Sequence, residues 1–272
     1  MMSAAMDRLQ SFNRHGGAFE TSPFRGFGEV SIAQLKPQSR ANLPIVKNGT
    51  ALAISNLPLG VAAQSKGRTG RGGARNRADR ESHALTKAQI ANLSLSEGHS
   101  RAIGLPFTRM ITIHWKAAGV PLSGMAAATG KFIDYLTRWL ARRSYRIAWL
   151  WVHENAGDKC WHCHLLATVP AELVKPLIGA QKRWLRAITG APYCASVIRS
   201  KPIGGRLRLE TGNPALHFEN ARAALAYLCK GAPQSTLDAA RIDRQHKLQG
   251  LIIGRRCSTS QNIGAKARKA SQ

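Results

Sequence analysis

The spacing of apolar residues changes near residue 105 and divides the chain into three parts. Residues 1–104 show little periodicity and are rich in Gly, Ser, Asn and Arg, so we predict a basic N-terminal arm that is mostly disordered. Within this arm, Thr86–Leu95 has the composition of a short helix. Residues 105–233 combine alternating and helical patterns, which indicates one folded domain, and residues 234–272 are predicted to form a basic C-terminal tail.

The patterns within 105–233 predict seven elements in a defined order. That order, β-α-β-β-α-β-α, is typical of a split βαβ, ferredoxin-like or palm-like domain. We therefore predict an α+β fold with an antiparallel sheet and helices on one face. The predicted elements are a strand over 107–115, a helix over 123–143, strands over 146–154 and 161–169, a helix of about 20 residues from Pro170, a strand over 195–201 and a helix over 215–230.

The charge of the chain points to a polyanionic partner. Lys and Arg total 40 against 14 Asp and Glu, which gives a formal net charge of +26. A charge of this size favours nucleic acid as the partner, with a generic basic protein as the alternative. No apolar run reaches transmembrane length, and Met1–Gln10 lacks the apolar core of a signal peptide. We therefore expect a cytoplasmic protein with no membrane partner.

Five cysteines without a close-spaced framework are typical of reduced thiols in the cytosol. Cys160 and Cys163 form a Cys-x-x-Cys pair, which can begin a zinc site. A zinc ribbon needs a second close pair, and the sequence has none. A zinc-stabilised domain that uses Cys160, Cys163 and the nearby histidines is nevertheless an alternative.

Two histidines one residue apart, His162 and His164, lie at the start of the predicted strand over 161–169. Side chains on a strand alternate between faces, so both imidazoles project from the same face. Glu154 ends the preceding strand, and the turn that follows brings its carboxylate back towards them, whereas His153 faces the other way. Two imidazoles and a carboxylate can hold three positions around one divalent cation and leave others open.

Tyr227 and Lys230 lie three residues apart on the last predicted helix, hence on one helical face. A phenol beside an ammonium group is a candidate nucleophile, because the cation favours phenolate and can neutralise a phosphate. The structural alternative is a half-buried tyrosine followed by a lysine that complements the helix dipole.

Three segments in this order resemble the motifs of the HUH endonuclease superfamily, in particular the single-tyrosine replication initiators of rolling-circle plasmids and phages. Residues 107–112, Phe-Thr-Arg-Met-Ile-Thr, resemble the first motif, a strand beneath the site. Residues 162–166, His-Cys-His-Leu-Leu, resemble the second, and residues 227–230, Tyr-Leu-Cys-Lys, resemble the third. The resemblance is confined to residues 107–231.

The resemblance implies a metal-dependent nicking and rejoining of single-stranded DNA. His162, His164 and Glu154 would bind Mg²⁺ or Mn²⁺ at the scissile phosphate. Tyr227 would attack phosphorus to give a 5′-phosphotyrosine and a free 3′-OH, and Lys230 would position or neutralise charge. The implied partners are single-stranded or supercoiled DNA at a replication origin, together with a host helicase and polymerase.

Arginines in three places are candidates for contact with DNA. Arg109 and His114 lie on opposite faces of the first strand, so at most one of them faces the site. The arm and the tail supply the other candidates, which are Arg68, Arg71, Arg75, Arg255 and Arg256.

Other functions share parts of this pattern. A relaxase or transposase of the same superfamily would use the same chemistry. A non-catalytic nucleic-acid-binding protein on the same fold would tolerate loss of Tyr227. A two-histidine, one-carboxylate iron oxygenase would use the same three ligands, although the net charge argues against it.

Overall fold

The computed structural model describes residues 79–156 and 160–271, which form an α+β fold around an antiparallel sheet. No helix within these residues is both long and apolar enough to cross a membrane. The strands are β1 (Glu81–Ser82), β2 (Arg109–Ile113), β3 (Trp149–Asn155), β4 (Trp161–Ala167), β5 (Ile198–Pro202), β6 (Ile252–Ile253) and β7 (Cys257–Thr259). The helices are α1 (Lys87–Ala102), α2 (Met125–Ala141), α3 (Val174–Thr189), α4 (Leu209–Gly212), α5 (Pro214–Cys229), α6 (Gln234–Ala239) and α7 (Ala265–Ala270).

Five strands form the main sheet in the order β5-β2-β4-β3-β7, and each neighbouring pair is antiparallel. The two shortest strands, β1 and β6, pair separately. The central strands β3 and β4 are joined as a hairpin whose register sets Glu154 opposite His162 and Val152 opposite His164. Since partners across a ladder share a face, the register places these side chains together.

Helices pack on both faces of the sheet, so the prediction of helices on one face is wrong. One face, the α2/α3 face, forms a core of which Phe132 and Trp184 are part. The other, the α1/α5 face, forms a second core in which Leu93 and Leu225 lie against the sheet. The physical reason is visible in β4, where consecutive apolar residues are buried rather than alternate ones, as expected of a strand covered on both faces.

The folded region extends beyond the predicted 105–233 at both ends. Helix α1 lies in the range predicted as the arm and is held by a capping box at Thr86. Its sequence is largely polar, and it buries Ser96 and Glu97 as well as apolar residues, which hides the amphipathic pattern. Strand β7 lies in the range predicted as the tail and pairs with β3, but three residues are too few for a periodic signal.

Candidate metal centre

Glu154, His162 and His164 meet on the α1/α5 face at the end of the β3–β4 hairpin. The two Nε2 atoms are 3.2 Å apart, and they lie 3.2 Å and 3.4 Å from Oε2 of Glu154. All three residues are buried, with 2%, 5% and 4% of their surfaces exposed. Ligands bound at about 2.1 Å are separated by about 3.0 Å in an octahedron and about 3.4 Å in a tetrahedron. The three atoms therefore have the spacing of one face of a metal coordination shell, and the cluster fits a metal ion.

The hydrogen bond of His162 directs the lone pair of its Nε2 at this centre. Nδ1 of His162 donates to the carbonyl of Cys160 at 2.7 Å, because a carbonyl can only accept. In neutral His162, Nε2 is then an acceptor that faces the carboxylate of Glu154, which is also an acceptor. Nδ1 of His164 lies 2.9 Å from the hydroxyl of Thr112, which can accept from this nitrogen or donate to it. When Nδ1 of His164 is the donor, three acceptors converge on one point, which is the arrangement that suits a cation.

Lys230 holds the other oxygen of Glu154. Its ammonium group donates to Oε1 at 2.5 Å, with both side chains buried, so Oε2 is the oxygen presented to the histidines. Burial alone would raise the pKa of Glu154, but His164, His162 and Lys230 together hold that pKa well below its usual range. The carboxylate is therefore charged, as a metal ligand must be. Burial also lowers the pKa of His164 to about 4, which keeps its imidazole neutral.

Tyr227 lies beside the cluster on the last turn of α5. Its ring is edge-on to His164 with the centroids 5.1 Å apart, and Nζ of Lys230 lies 3.6 Å from the ring centroid. We expected the Lys230 ammonium group to activate the Tyr227 phenol. In the structure this ammonium group forms an ion pair with Glu154 instead. Burial and the charge of Glu154 raise the pKa of Tyr227 to about 12, while Arg244 acts in the opposite direction.

Three further residues lie near the cluster: sequence reasoning missed Thr112 and Arg244, and it left open whether Arg109 or His114 faces the site. Thr112 bonds His164, as described above, and the ring of His114 lies 5.4 Å from that of His162. Arg244 lies over the Tyr227 ring at 5.4 Å. Thr112 and His114 could have been found from the alternation of β2 once its pairing with β4 was known, whereas no local pattern marks Arg244.

The arginines predicted to contact DNA differ in their surroundings. Arg109 is 2% exposed on the α2/α3 face, where it donates to the carbonyl and hydroxyl of Ser200, so it is not available to DNA. Arg256 is equally buried and donates to backbone carbonyls of Ser82 and Gly250, which corrects that prediction too. Arg255 is exposed. The remaining three, Arg68, Arg71 and Arg75, lie outside the described residues.

The Cys-x-x-Cys pair does not assemble a zinc site. Cys163 lies in the core of the α2/α3 face, whereas His162 and His164 project from the opposite face. Burial raises the pKa of the Cys163 thiol, so it stays protonated. The Cys160 sulfur lies 3.0 Å from Nζ of Lys116. Among residues 79–156 and 160–271, the Glu154, His162 and His164 group is the one cluster of three or more such side chains with ligand spacing.

Comparison of the chain with protein-family models, with curated proteins and with solved structures gave no match. The functional interpretation therefore depends on the geometry and charge described above.

Proposed function

We propose that this protein is a metal-dependent endonuclease that nicks and rejoins single-stranded DNA through Tyr227. The observation that carries the proposal is the contact of Tyr227 with His164, which puts a phenol beside a buried cation-binding cluster. A net charge of +26 supports a polyanionic substrate. The sequence motifs that resemble those of the HUH superfamily also support the proposal.

In the proposed reaction, the Tyr227 oxygen attacks phosphorus, its proton passes to water, and the P–O3′ bond breaks. The products are a 5′-phosphotyrosine and a strand that ends in a 3′-OH once its leaving oxygen is protonated. One phosphodiester replaces another, so the step needs no oxidant or nucleotide and is reversible. A bound cation supplies charge stabilisation to the non-bridging phosphate oxygens.

The residues around the nucleophile have separate roles in this proposal. His162, His164 and Oε2 of Glu154 would hold the cation. Lys230 is a positioning residue, since its bond to Oε1 orients the Glu154 carboxylate. The imidazole ligands favour Mn²⁺ over Mg²⁺, which prefers an all-oxygen shell. We propose Mn²⁺ or Mg²⁺ as the metal, and initiation of rolling-circle replication as the use of the reaction.

The test is a denaturing gel of the protein with end-labelled single-stranded DNA that carries the origin of the replicon encoding it, with Mn²⁺ or with EDTA. We expect a covalent adduct that needs the metal and disappears in Tyr227→Phe, while the DNA affinity of that variant is unchanged. Tyr135→Phe is the matched control, because Tyr135 lies on α2 and is partly exposed. An adduct that persists in Tyr227→Phe would exclude Tyr227 as the nucleophile. A salt-sensitive gel shift without any adduct would favour a non-catalytic binding protein.

A further inference from the structure

A segment without helix or strand passes beside the metal centre. This segment, residues 244–250, is called the strap here and connects the region after α6 to β6. The backbone N–H of Lys247 donates to the carbonyl of Lys230 at 2.8 Å, and the N–H of Asn155 donates to the carbonyl of Gln249 at 2.8 Å. The strap is thus bonded to Asn155, which follows Glu154 in the chain, and to Lys230, which forms an ion pair with Glu154.

The strap packs closely against the domain at two glycines. Gly250 has φ +62°, and a Cβ at this position would lie 1.9 Å from the carbonyl oxygen of Asn155, so glycine is required there. A Cβ at Gly231 would lie 2.3 Å from Cγ of the Gln249 side chain. Nδ1 of His246 also donates to the carbonyl of Ala232 at 2.7 Å, so both halves of the strap are tied to the domain.

The strap exposes two cationic side chains, the amide of Gln245 and one leucine. Arg244 and Lys247 are exposed, and the Arg244 guanidinium lies 5.4 Å from the centroid of the Tyr227 ring. Leu248 is 81% exposed, more than any other large apolar side chain in the described part of the chain. A bonded backbone holds this leucine in solvent, so its exposure does not result from a loose loop.

We propose that the strap is a binding surface for single-stranded DNA next to Tyr227. Arg244 and Lys247 would hold backbone phosphates, and Leu248 would pack against the face of an unpaired base. This inference rests on the proposed nicking function and extends it to the recognition of substrate.

Single-stranded DNA fits this surface better than duplex does. Two cations and a leucine next to one of them match a strand that offers both phosphates and accessible base faces. In a duplex the base faces are stacked on one another, and an apolar side chain reaches them only by wedging a step open. The location beside the proposed nucleophile is where an unpaired strand is needed.

The first test measures the affinity of full-length Leu248→Ala for single-stranded and duplex oligonucleotides of the same sequence by fluorescence anisotropy. We expect Kd for the single strand to rise about fivefold or more, with duplex affinity unchanged, because burial of a leucine side chain against a base contributes on this scale. Leu95→Ala is the matched control, since Leu95 is 59% exposed on α1. Equal affinities of the two variants for the single strand would overturn the proposal, as would an equal loss for both DNA forms.

The second test concerns the cations. Arg244→Gln and Lys247→Gln should each reduce the slope of log K against log salt for the single strand by about 0.7. Lys175→Gln on α3, which packs on the other face of the sheet, should leave the slope unchanged. An unchanged slope in both strap variants would show that neither side chain holds a phosphate.

These results separate failure of the strap from failure of the nicking function. If the wild type forms the Tyr227 adduct but Leu248→Ala binds and reacts normally, the strap inference is wrong and the nicking function stands. If strap variants lose single-strand affinity but the wild type forms no adduct with any origin strand, the surface is real and the nicking proposal is wrong.

Discussion

His153 and His162 lie on the same strand pair but on opposite faces of the sheet, and their hydrogen bonds differ in kind. On the α2/α3 face, the indole N–H of Trp115 donates to Thr129, and the Thr129 hydroxyl can donate to Nε2 of His153. Nδ1 of His153 then donates to the carbonyl of Arg255. Every donor in this series of hydrogen bonds has an acceptor, so both ring nitrogens of His153 have hydrogen-bond partners within the protein.

On the α1/α5 face, neutral His162 has a fixed protein partner at only one of its two ring nitrogens. Nδ1 of His162 has a carbonyl acceptor, but its Nε2 converges with Nε2 of His164 and with Oε2 of Glu154. The difference teaches that burial of a histidine does not distinguish a ligand from a core residue. What distinguishes them is whether both ring nitrogens find complementary partners in the protein.

Loss of a ligand should have the largest effect on metal binding. We expect His162→Ala to lower Mn²⁺ affinity by at least about 100-fold and to abolish nicking, because the outer partners of a metal site already contribute about 10- to 100-fold. The free energy of unfolding without metal should also fall, because His162 is buried and helps hold the Glu154 carboxylate in its charged form. Calorimetric titration with Mn²⁺ and urea unfolding would measure both, with His83→Ala as a surface control. Undiminished Mn²⁺ binding would disprove the ligand assignment.

Removing Lys230 should destabilise the protein and make its stability depend on metal. Lys230→Met leaves the Glu154 carboxylate buried without its cation, which costs about 3–5 kcal/mol. A bound divalent cation compensates part of the Glu154 charge, so added Mn²⁺ should raise Tm more in this variant than in the wild type. Thermal unfolding with Mn²⁺ and with EDTA is the measurement. An equal response of variant and wild type to Mn²⁺ would argue that the cation does not bind at Glu154.

His153→Ala should destabilise the protein without weakening Mn²⁺ binding, unlike His162→Ala. Loss of a buried imidazole that bonds Thr129 and the Arg255 carbonyl leaves a cavity and unpaired groups, for an expected loss of about 2–4 kcal/mol in unfolding free energy. Mn²⁺ affinity per folded molecule should stay at the wild-type value. The comparison between the faces fails if His153→Ala abolishes Mn²⁺ binding in molecules that remain folded by circular dichroism.

Two truncations should distinguish the role of the arm from that of helix α1. Removal of residues 1–78 should have the smaller effect on stability, and removal of residues 1–104 the larger. Removal of residues 1–78 takes away Arg68, Arg71 and Arg75, so we expect a shallower salt dependence of DNA binding and normal nicking at saturating DNA. Removal of residues 1–104 also takes away α1, whose Ile90 and Leu93 are buried, and should lower the unfolding free energy by several kcal/mol, about 2–5 per large apolar side chain. Equal stability of the two truncated proteins would show that α1 is dispensable.

Local patterns predicted the centre of the fold because the information there is local. The strand predicted over 161–169 is observed over Trp161–Ala167, and alternation along it placed His162 and His164 on one face. A single turn separates Glu154 from them, so a hairpin was enough to bring the three together. The partner of Glu154 could not be predicted in this way, because Lys230 is 76 residues away and their pairing depends on how α5 packs on the sheet.

The positions of Arg109 and of the strap could not be predicted either, because they too depend on contacts between distant parts of the chain. The side of the sheet on which Arg109 lies depends on which face receives α2 and α3, and the β2 sequence does not carry that information. The strap has no periodicity, and its place is set by backbone bonds to Lys230 and Asn155. Periodic patterns in a sequence carry information on contacts between residues that are close in the chain. The α1/α5 face is built from segments that are far apart in the chain, so these patterns do not predict it.

The distances along the chain between these segments have a consequence for synthesis. The Ser96 hydroxyl donates to the carbonyl of Ile263 across 167 residues, and Arg268 donates to Ser96, so part of what holds α1 comes from residues much later in the chain. The strands and helices of the α2/α3 face lie largely between β2 and β5 and can fold while translation continues. We expect the α1/α5 face, which holds the Glu154 and Lys230 pair, to be complete only after residue 268 has left the ribosome, and therefore later than the α2/α3 face.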